Sequence, residues 1–197
     1  MREYEPLFHR RDEAGEDLDR VRDLFAAASE AYLSFPWSWM VWALLLPAAA
    51  LATTEVALRW GWAGGLALWS LTILAGGAVE LLGIRRGQRR ARSSPLAGWV
   101  LNVQGNLSLV ALLLSLALIA VGATAALPGL WLLLLGHSFY AQGGLAFPPF
   151  RGYGLWLQLG GAVALWPRGV DPLVVFAAVT FAGNLWIGWS LWRARGE

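Results

Sequence analysis

The feature that most constrains this chain is the length of its runs without charge. No Asp, Glu, Lys or Arg occurs between Arg92 and Arg151, and shorter charge-free runs lie on either side. The 197 residues are 57% hydrophobic and 14% charged, whereas charged residues make up about a quarter of an average soluble domain. Apolar stretches of about 20 residues are typical of helices that cross a membrane. The pattern therefore predicts an integral membrane protein.

Prolines, glycines and arginines divide the apolar sequence into six predicted spans. Short turns separate the first span from the second, the third from the fourth, and the fifth from the sixth, which predicts three helical hairpins. We expect an all-α fold in which residues 36–197 form a six-helix transmembrane bundle, with spans at about 37–54, 60–84, 96–121, 129–145, 153–166 and 173–192. The fifth span is short for a hydrocarbon core of about 30 Å. It must extend into its flanks, thin the bilayer or be partly re-entrant.

Residues 1–35 are polar and precede the first span. Apolar residues recur at helical spacing from about residue 12 to residue 34, which predicts an amphipathic helix. The segment has nine acidic residues against five arginines, whereas a helix that lies on anionic lipid usually has a basic polar face. We expect a cytoplasmic helix that docks on a basic partner, or a solvated helix that leads into the first span.

The arginines indicate the orientation in the membrane. With six spans, both termini lie on one side together with all arginines except Arg59 and Arg168. Loops rich in arginine stay in the cytoplasm, so both termini are predicted to be cytoplasmic. Five arginines between the second and third spans determine this topology or bind anionic lipid or a partner: Arg85, Arg86, Arg89, Arg90 and Arg92.

Polar residues within the predicted spans concentrate in the cytoplasmic half of the membrane. His137 is the focus, because an ionisable side chain at membrane depth normally has a partner or a function. The candidate ligand-binding residues are Glu80, Asn102, Asn106, His137, Tyr140, Gln142, Gln158 and Asn184. If they converge, they form a polar pocket open to the cytoplasm. Alternatively, the amides are interhelical hydrogen bonds, and Glu80 is an interfacial acid that extends to water.

The sequence excludes several kinds of site. It has no cysteine and two histidines, of which His9 lies in the polar N-terminal segment. No metal set, haem ligation or other cofactor is therefore predicted. The chain lacks the GxSxG, HExxH and P-loop motifs, so no catalytic residues are assigned. A net charge of +2 is too small to indicate a nucleic-acid partner.

Two further segments stand out, residues 135–140 (LGHSFY) and 181–188 (FAGNLWIG), together with Asn106 and the basic loop between the second and third spans. In these features the chain resembles a group of six-span bacterial membrane proteins to which no function is assigned. The resemblance covers most of the chain and implies a bacterial cytoplasmic (inner) membrane protein with six spans. The group's pattern has histidine in the last span where this chain has Asn184, so the resemblance does not extend to histidine chemistry.

Several functions remain open at this point. The leading hypothesis is a non-catalytic membrane protein that binds a lipid or a small amphipathic ligand in the predicted pocket, or that scaffolds a protein partner. The first alternative is a small transporter or channel with Glu80 and His137 lining its path. Others are an accessory subunit of a larger complex and a lipid-modifying enzyme with His137 as general base. Membrane lipids, a protein partner or a second copy of the chain are the expected partners.

Overall fold

The computed structural model describes residues 36–88, 95–143, 147–166 and 169–196. Within these ranges the chain forms five α-helices and one 3-10 turn: α1 (Trp37–Gln88), α2 (Pro95–Ala120), the turn Thr124–Ala126, α3 (Leu127–Gly143), α4 (Pro149–Leu165) and α5 (Pro172–Gly196). Four helical segments are long and apolar enough to cross a membrane. The all-α fold is therefore confirmed within these ranges, and the four apolar segments suggest a multi-pass membrane protein. The predicted N-terminal amphipathic helix lies outside the described residues.

The first two predicted spans are joined in one element, so the described residues contain five α-helices where the sequence predicted six. Helix α1 is interrupted at Gly61, whose φ of 66° and ψ of −166° are not helical. Trp69 Nε1 donates to Thr53 Oγ1 at 3.1 Å across this break. In a straight helix these two residues would lie about 24 Å apart along the axis. The two arms of α1 before and after Gly61 are therefore folded antiparallel, and glycine is suited to the turn because it has no Cβ to resist a positive φ.

The helices follow one another around the bundle as antiparallel neighbours. Helix α2 packs on α3, α3 on α4, α4 on α5, and α5 returns to the first arm of α1. The contacts that set this order join Gln104 with Ser138, Gly136 with Gly154, Tyr153 with Asn184, and Trp37 with Trp192. Consequently Trp37, Arg151 and Arg193 lie at one end of the bundle, here called the arginine-rich end. Arg59 and Asp171 lie at the opposite end.

The closest packing is between α3 and α4, and glycines make it possible. A Cβ added to Gly136 would lie 2.7 Å from the carbonyl oxygen of Gly154, and one added to Gly161 would lie 2.9 Å from that of Gly129. The glycines recur every seven residues, at 129, 136 and 143 on α3 and at 154 and 161 on α4. Small residues at this spacing let two backbones touch along a helix pair in lipid, where dispersion contacts replace the hydrophobic effect.

Aromatic side chains fill the core near the arginine-rich end. Trp39 of α1 meets Phe139 of α3 and both Phe150 and Tyr153 of α4, with ring centroids 5.4 to 5.6 Å apart. The Phe139 and Tyr153 rings are closer still, at 4.9 Å. These separations fall within the preferred range for aromatic pairs. This aromatic cluster ties α1, α3 and α4 together at one level of the bundle.

Candidate membrane-facing site

The eight polar residues predicted to share a pocket occupy different surfaces of the bundle. Gln142 and Asn184 are buried at separate helix contacts, and Gln158 is half-buried. The other five side chains are exposed on the outside of the helices: Glu80, Asn102, Asn106, His137 and Tyr140. The described part of the chain does not bring the eight together in one enclosed space.

Gln142 belongs to a polar link between α2 and α3. Its amide nitrogen donates to Ser138 Oγ at 2.9 Å and to Gln104 Oε1 at 3.2 Å, and Ser138 Oγ also donates to Gln104 Oε1. Ser138 and Gln142 therefore share one face of α3, as their four-residue spacing predicts. Interhelical hydrogen bonds of this kind contribute on the order of 0.6 kcal/mol each in a membrane. The link fixes the position of α2 along α3.

Asn184 is enclosed between α4 and α5, beneath the aromatic cluster. It is 2% exposed, and its Oδ1 accepts a hydrogen bond from the Tyr153 hydroxyl at 2.7 Å. Its Nδ2 is buried and has no hydrogen-bond partner in the structure. Because its hydrogen bond joins α5 to α4 at a buried position, we assign Asn184 to the packing of α4 on α5.

Glu80 lies on the second arm of α1 and contacts the first arm. The Trp42 side chain of the first arm lies near its carboxylate, and the Trp42 ring also covers Gly76, one turn earlier. Glu80 thus belongs to the contact between the two arms of α1, whereas His137 lies on α3.

The neighbours of His137 show which way it points. Gly136 contacts α4, Ser138 bonds to α2, and Phe139 enters the aromatic cluster. Successive residues on a helix point about 100° apart, so His137 takes the one remaining direction, away from the bundle. It is exposed accordingly. Tyr140 is exposed three residues later on the same side of α3.

Helix α4 places two further polar residues beside these two. Gln158 contacts the Gly136 position, and Arg151 contacts the Gly143 position. They are seven residues apart and share one face of α4, whereas Leu157 and Tyr153 on the other side are buried in the core. The outside of the α3–α4 pair therefore displays a row of polar groups running inward from the arginine-rich end. We call this row, Arg151, Tyr140, His137 and Gln158, the outer polar row.

The arginine-rich end carries residue types that are typical of a membrane interface. The Arg193 guanidinium lies 5.2 Å from the centre of the Trp189 ring, and the Trp189 and Trp192 rings are 6.4 Å apart. Indole rings favour the headgroup level of a bilayer. Arg85 is exposed at this end. The side chains of the other predicted loop arginines lie outside the part of the chain that the structure describes: Arg86, Arg89, Arg90 and Arg92.

The outer polar row offers groups that can donate and accept hydrogen bonds, together with one positive charge. It contains one permanent cation, a phenol, an imidazole and an amide, all next to apolar surface. Among the described residues no group of three or more His, Asp or Glu side chains is placed to hold a metal ion. The sequence prediction included His137, Tyr140 and Gln158 but missed Arg151. The sequence indicates Arg151 through its seven-residue spacing from Gln158, which equals the spacing of Gly154 and Gly161 on the same helix.

Gln104 and Tyr153, the partners of the buried polar residues, also lie outside the predicted set. Nothing in the composition of their spans distinguishes them, because their roles depend on which helix faces which. Comparison of the chain with protein-family models, curated proteins and solved structures finds no match.

Proposed function

We propose that this chain is a non-catalytic membrane protein that crosses the bilayer six times and binds an amphipathic lipid along the outer polar row. In this proposal each arm of α1 and each of the other four helices makes one crossing. The arginine-rich end and both termini face the cytoplasm of a bacterium. The observation that carries the proposal is that three members of the row are exposed and Gln158 is half-buried, on a surface that otherwise suits hydrocarbon.

The order of groups along the row matches the order of groups in a phospholipid. Arg151 lies nearest the end of the bundle, where a guanidinium can meet a phosphate through two parallel hydrogen bonds. Tyr140 and His137 follow at the depth of the glycerol and ester groups and can donate to the ester oxygens. Gln158 lies deepest. Beyond it the α3–α4 surface is apolar, which suits acyl chains.

Lipid binding would also offset the free energy that these polar side chains lose when they face hydrocarbon. A polar side chain facing hydrocarbon without a partner loses its hydrogen bonds to water. The headgroup of a bound lipid supplies hydrogen-bond partners in place of water, so no polar side chain from another helix is needed. A transporter or channel remains the alternative, but Glu80 packs against Trp42 and His137 points outward, so the two side chains do not line a common path among the described residues.

Native mass spectrometry of the protein extracted in mild detergent tests this proposal. The matched variants are His137→Ala and Arg151→Ala, and Leu74→Ala serves as the control because Leu74 is an exposed apolar residue on α1. We expect phosphatidylglycerol added at increasing concentration to remain bound to the wild type and to the control at energies that strip it from both row variants. Equal retention by all four proteins would contradict the proposal.

A further inference from the structure

The two helices that display the outer polar row carry one permanent charge between them. It belongs to Arg151, which is exposed on α4. Neither α3 nor α4 contains an Asp, Glu or Lys residue, and the sequence has no carboxylate side chain from residue 81 to residue 170. The row therefore offers a ligand one positive charge and no negative charge to balance it.

The described part of the chain has three carboxylate side chains, and all of them belong to other elements. Glu55 pairs with Arg59 on α1. Asp171 accepts a backbone hydrogen bond at the start of α5, at the end of the bundle opposite Arg151. Glu80 lies between the two arms of α1. None of these three carboxylates forms an ion pair with Arg151, so its charge is available to a ligand.

The group beyond the phosphate is what distinguishes one phospholipid from another at such a row. All phospholipids have a phosphate that a guanidinium can bind. In phosphatidylethanolamine the next group is an ammonium, which a carboxylate would stabilise and which a nearby guanidinium repels. In phosphatidylglycerol it is a pair of neutral hydroxyls, which donate and accept hydrogen bonds. A row with one cation and no carboxylate therefore favours the second headgroup.

Aromatic rings can also hold an ammonium, but they do so by surrounding it. Tyr140 is the single ring of the outer polar row. Trp156 is exposed on the same helix as Gln158, but it lies about 200° around α4 from that residue. Its Nε1 donates to the carbonyl oxygen of Val179 on α5 at 2.9 Å, so the ring lies on the α5 side of α4 and not beside the row.

We propose that Arg151 makes the outer polar row selective for phospholipids with one net negative charge, such as phosphatidylglycerol, over zwitterionic phospholipids. This inference rests on the proposed function, because it concerns the same row. Charge balance carries it: the guanidinium and a phosphate diester neutralise each other, whereas a zwitterionic lipid adds an ammonium that the row cannot pair. Arg151 is then the residue that determines headgroup specificity.

Lipid titrations followed by native mass spectrometry test this selectivity. Phosphatidylglycerol and phosphatidylethanolamine with identical acyl chains are added separately to the full-length protein in mild detergent, and the apparent Kd of each is measured. We expect the wild type to bind phosphatidylglycerol about fivefold more tightly, which corresponds to about 1 kcal/mol, as for a strong exposed ion pair. Arg151→Gln should bind the two lipids nearly equally. Arg151→Lys keeps the charge and should keep the preference.

The matched control is Arg193→Gln, which removes the same charge at the same end of the bundle. Arg193 is exposed on α5, where its guanidinium lies over the Trp189 ring and outside the row. Its replacement should leave the preference for phosphatidylglycerol unchanged. The inference would be overturned by equal binding of both lipids to the wild type, by loss of the preference in Arg151→Lys, or by the same preference in the Arg151→Gln and Arg193→Gln variants.

The His137→Ala variant separates this inference from the proposed function. If the row binds lipid, this change weakens both lipids to a similar degree, because it alters no permanent charge. A wild type that binds both lipids equally, and a variant that loses both, would leave the proposed function standing and the selectivity wrong. Unchanged binding of both lipids to the variant would contradict the proposed function. A wild type that binds neither lipid would contradict both.

Discussion

Asn184 is a polar residue that the fold encloses without fully satisfying it. Its Oδ1 accepts from Tyr153, while its Nδ2 is buried without a partner. If the oxygen and nitrogen of the amide exchanged places, Oδ1 would be the unpaired atom instead of Nδ2, because the Tyr153 hydroxyl cannot bond both atoms. The pair therefore stabilises the α4–α5 contact less than a fully bonded pair would, and replacing both partners by apolar groups of similar shape should be nearly neutral.

A double-mutant cycle measures this balance. Tyr153→Phe leaves the Asn184 carbonyl unpaired, and Asn184→Leu leaves the Tyr153 hydroxyl unpaired, so each single change should destabilise the protein by about 1 kcal/mol. The combination Tyr153→Phe with Asn184→Leu should recover most of that loss, as judged by unfolding in a detergent titration. Strictly additive losses would mean that the two side chains are not coupled.

At the level of helices, the glycines that recur every seven residues decide how α3 and α4 meet. Gly136 and Gly154 bring the two backbones into contact, and the outer polar row exists because that contact leaves the two helices side by side. Wider separation would displace Gln158 from His137. The same helices could pack elsewhere if their closest positions were filled by larger side chains.

We therefore expect Gly136→Val to destabilise the protein by about 1 to 3 kcal/mol, because its side chain would overlap the Gly154 carbonyl. The matched control is Gly77→Ala on α1, where an added Cβ meets nothing within 4 Å. That change should be neutral or slightly stabilising, by up to about 1 kcal/mol, because alanine favours helix more than glycine. Thermal unfolding of both variants in the same detergent compares them. Similar melting temperatures for the two would argue against backbone contact at Gly136.

For the whole molecule, the antiparallel arms of α1 have a consequence for the topology. If α1 crosses the membrane twice, its turn at Gly61 lies on the same side as the α2–α3 and α4–α5 turns. Each turn is close to an exposed residue whose replacement changes no charge: Leu58, Val121 and Val170. Ala194 is exposed at the arginine-rich end.

Single cysteines at these four positions test the six crossings and the orientation together. In intact cells we expect a maleimide that cannot cross the inner membrane to label Leu58→Cys, Val121→Cys and Val170→Cys. Ala194→Cys should react only after the membrane is opened, because loops rich in arginine are retained in the cytoplasm. Protection of Leu58→Cys together with labelling of Val170→Cys would instead mean that α1 does not cross twice.

The sequence by itself determined that the chain is helical, suited to a membrane and divided into antiparallel segments. In hydrocarbon the backbone must form its own hydrogen bonds, so a span has to be a helix, and the length of an apolar run indicates where one lies. The positions of the arginines indicate where the spans end. The sequence also placed Ser138 with Gln142 and set Asn102 and Asn106 opposite Gln104, because these relations depend only on helix periodicity.

Only the tertiary structure decided which side of each helix faces the bundle. The sequence predicts His137 inside a polar pocket, but the glycine contact at residue 136 and the hydrogen bond at residue 138 turn its side chain to the outside of the bundle, where its polar neighbours are also on the surface. Likewise Asn184 is buried against Tyr153, while Asn102 and Asn106 are exposed. In lipid every side of an apolar helix has similar composition, so burial cannot be inferred from hydrophobicity. Helix rotation is set by close packing and specific hydrogen bonds between distant residues.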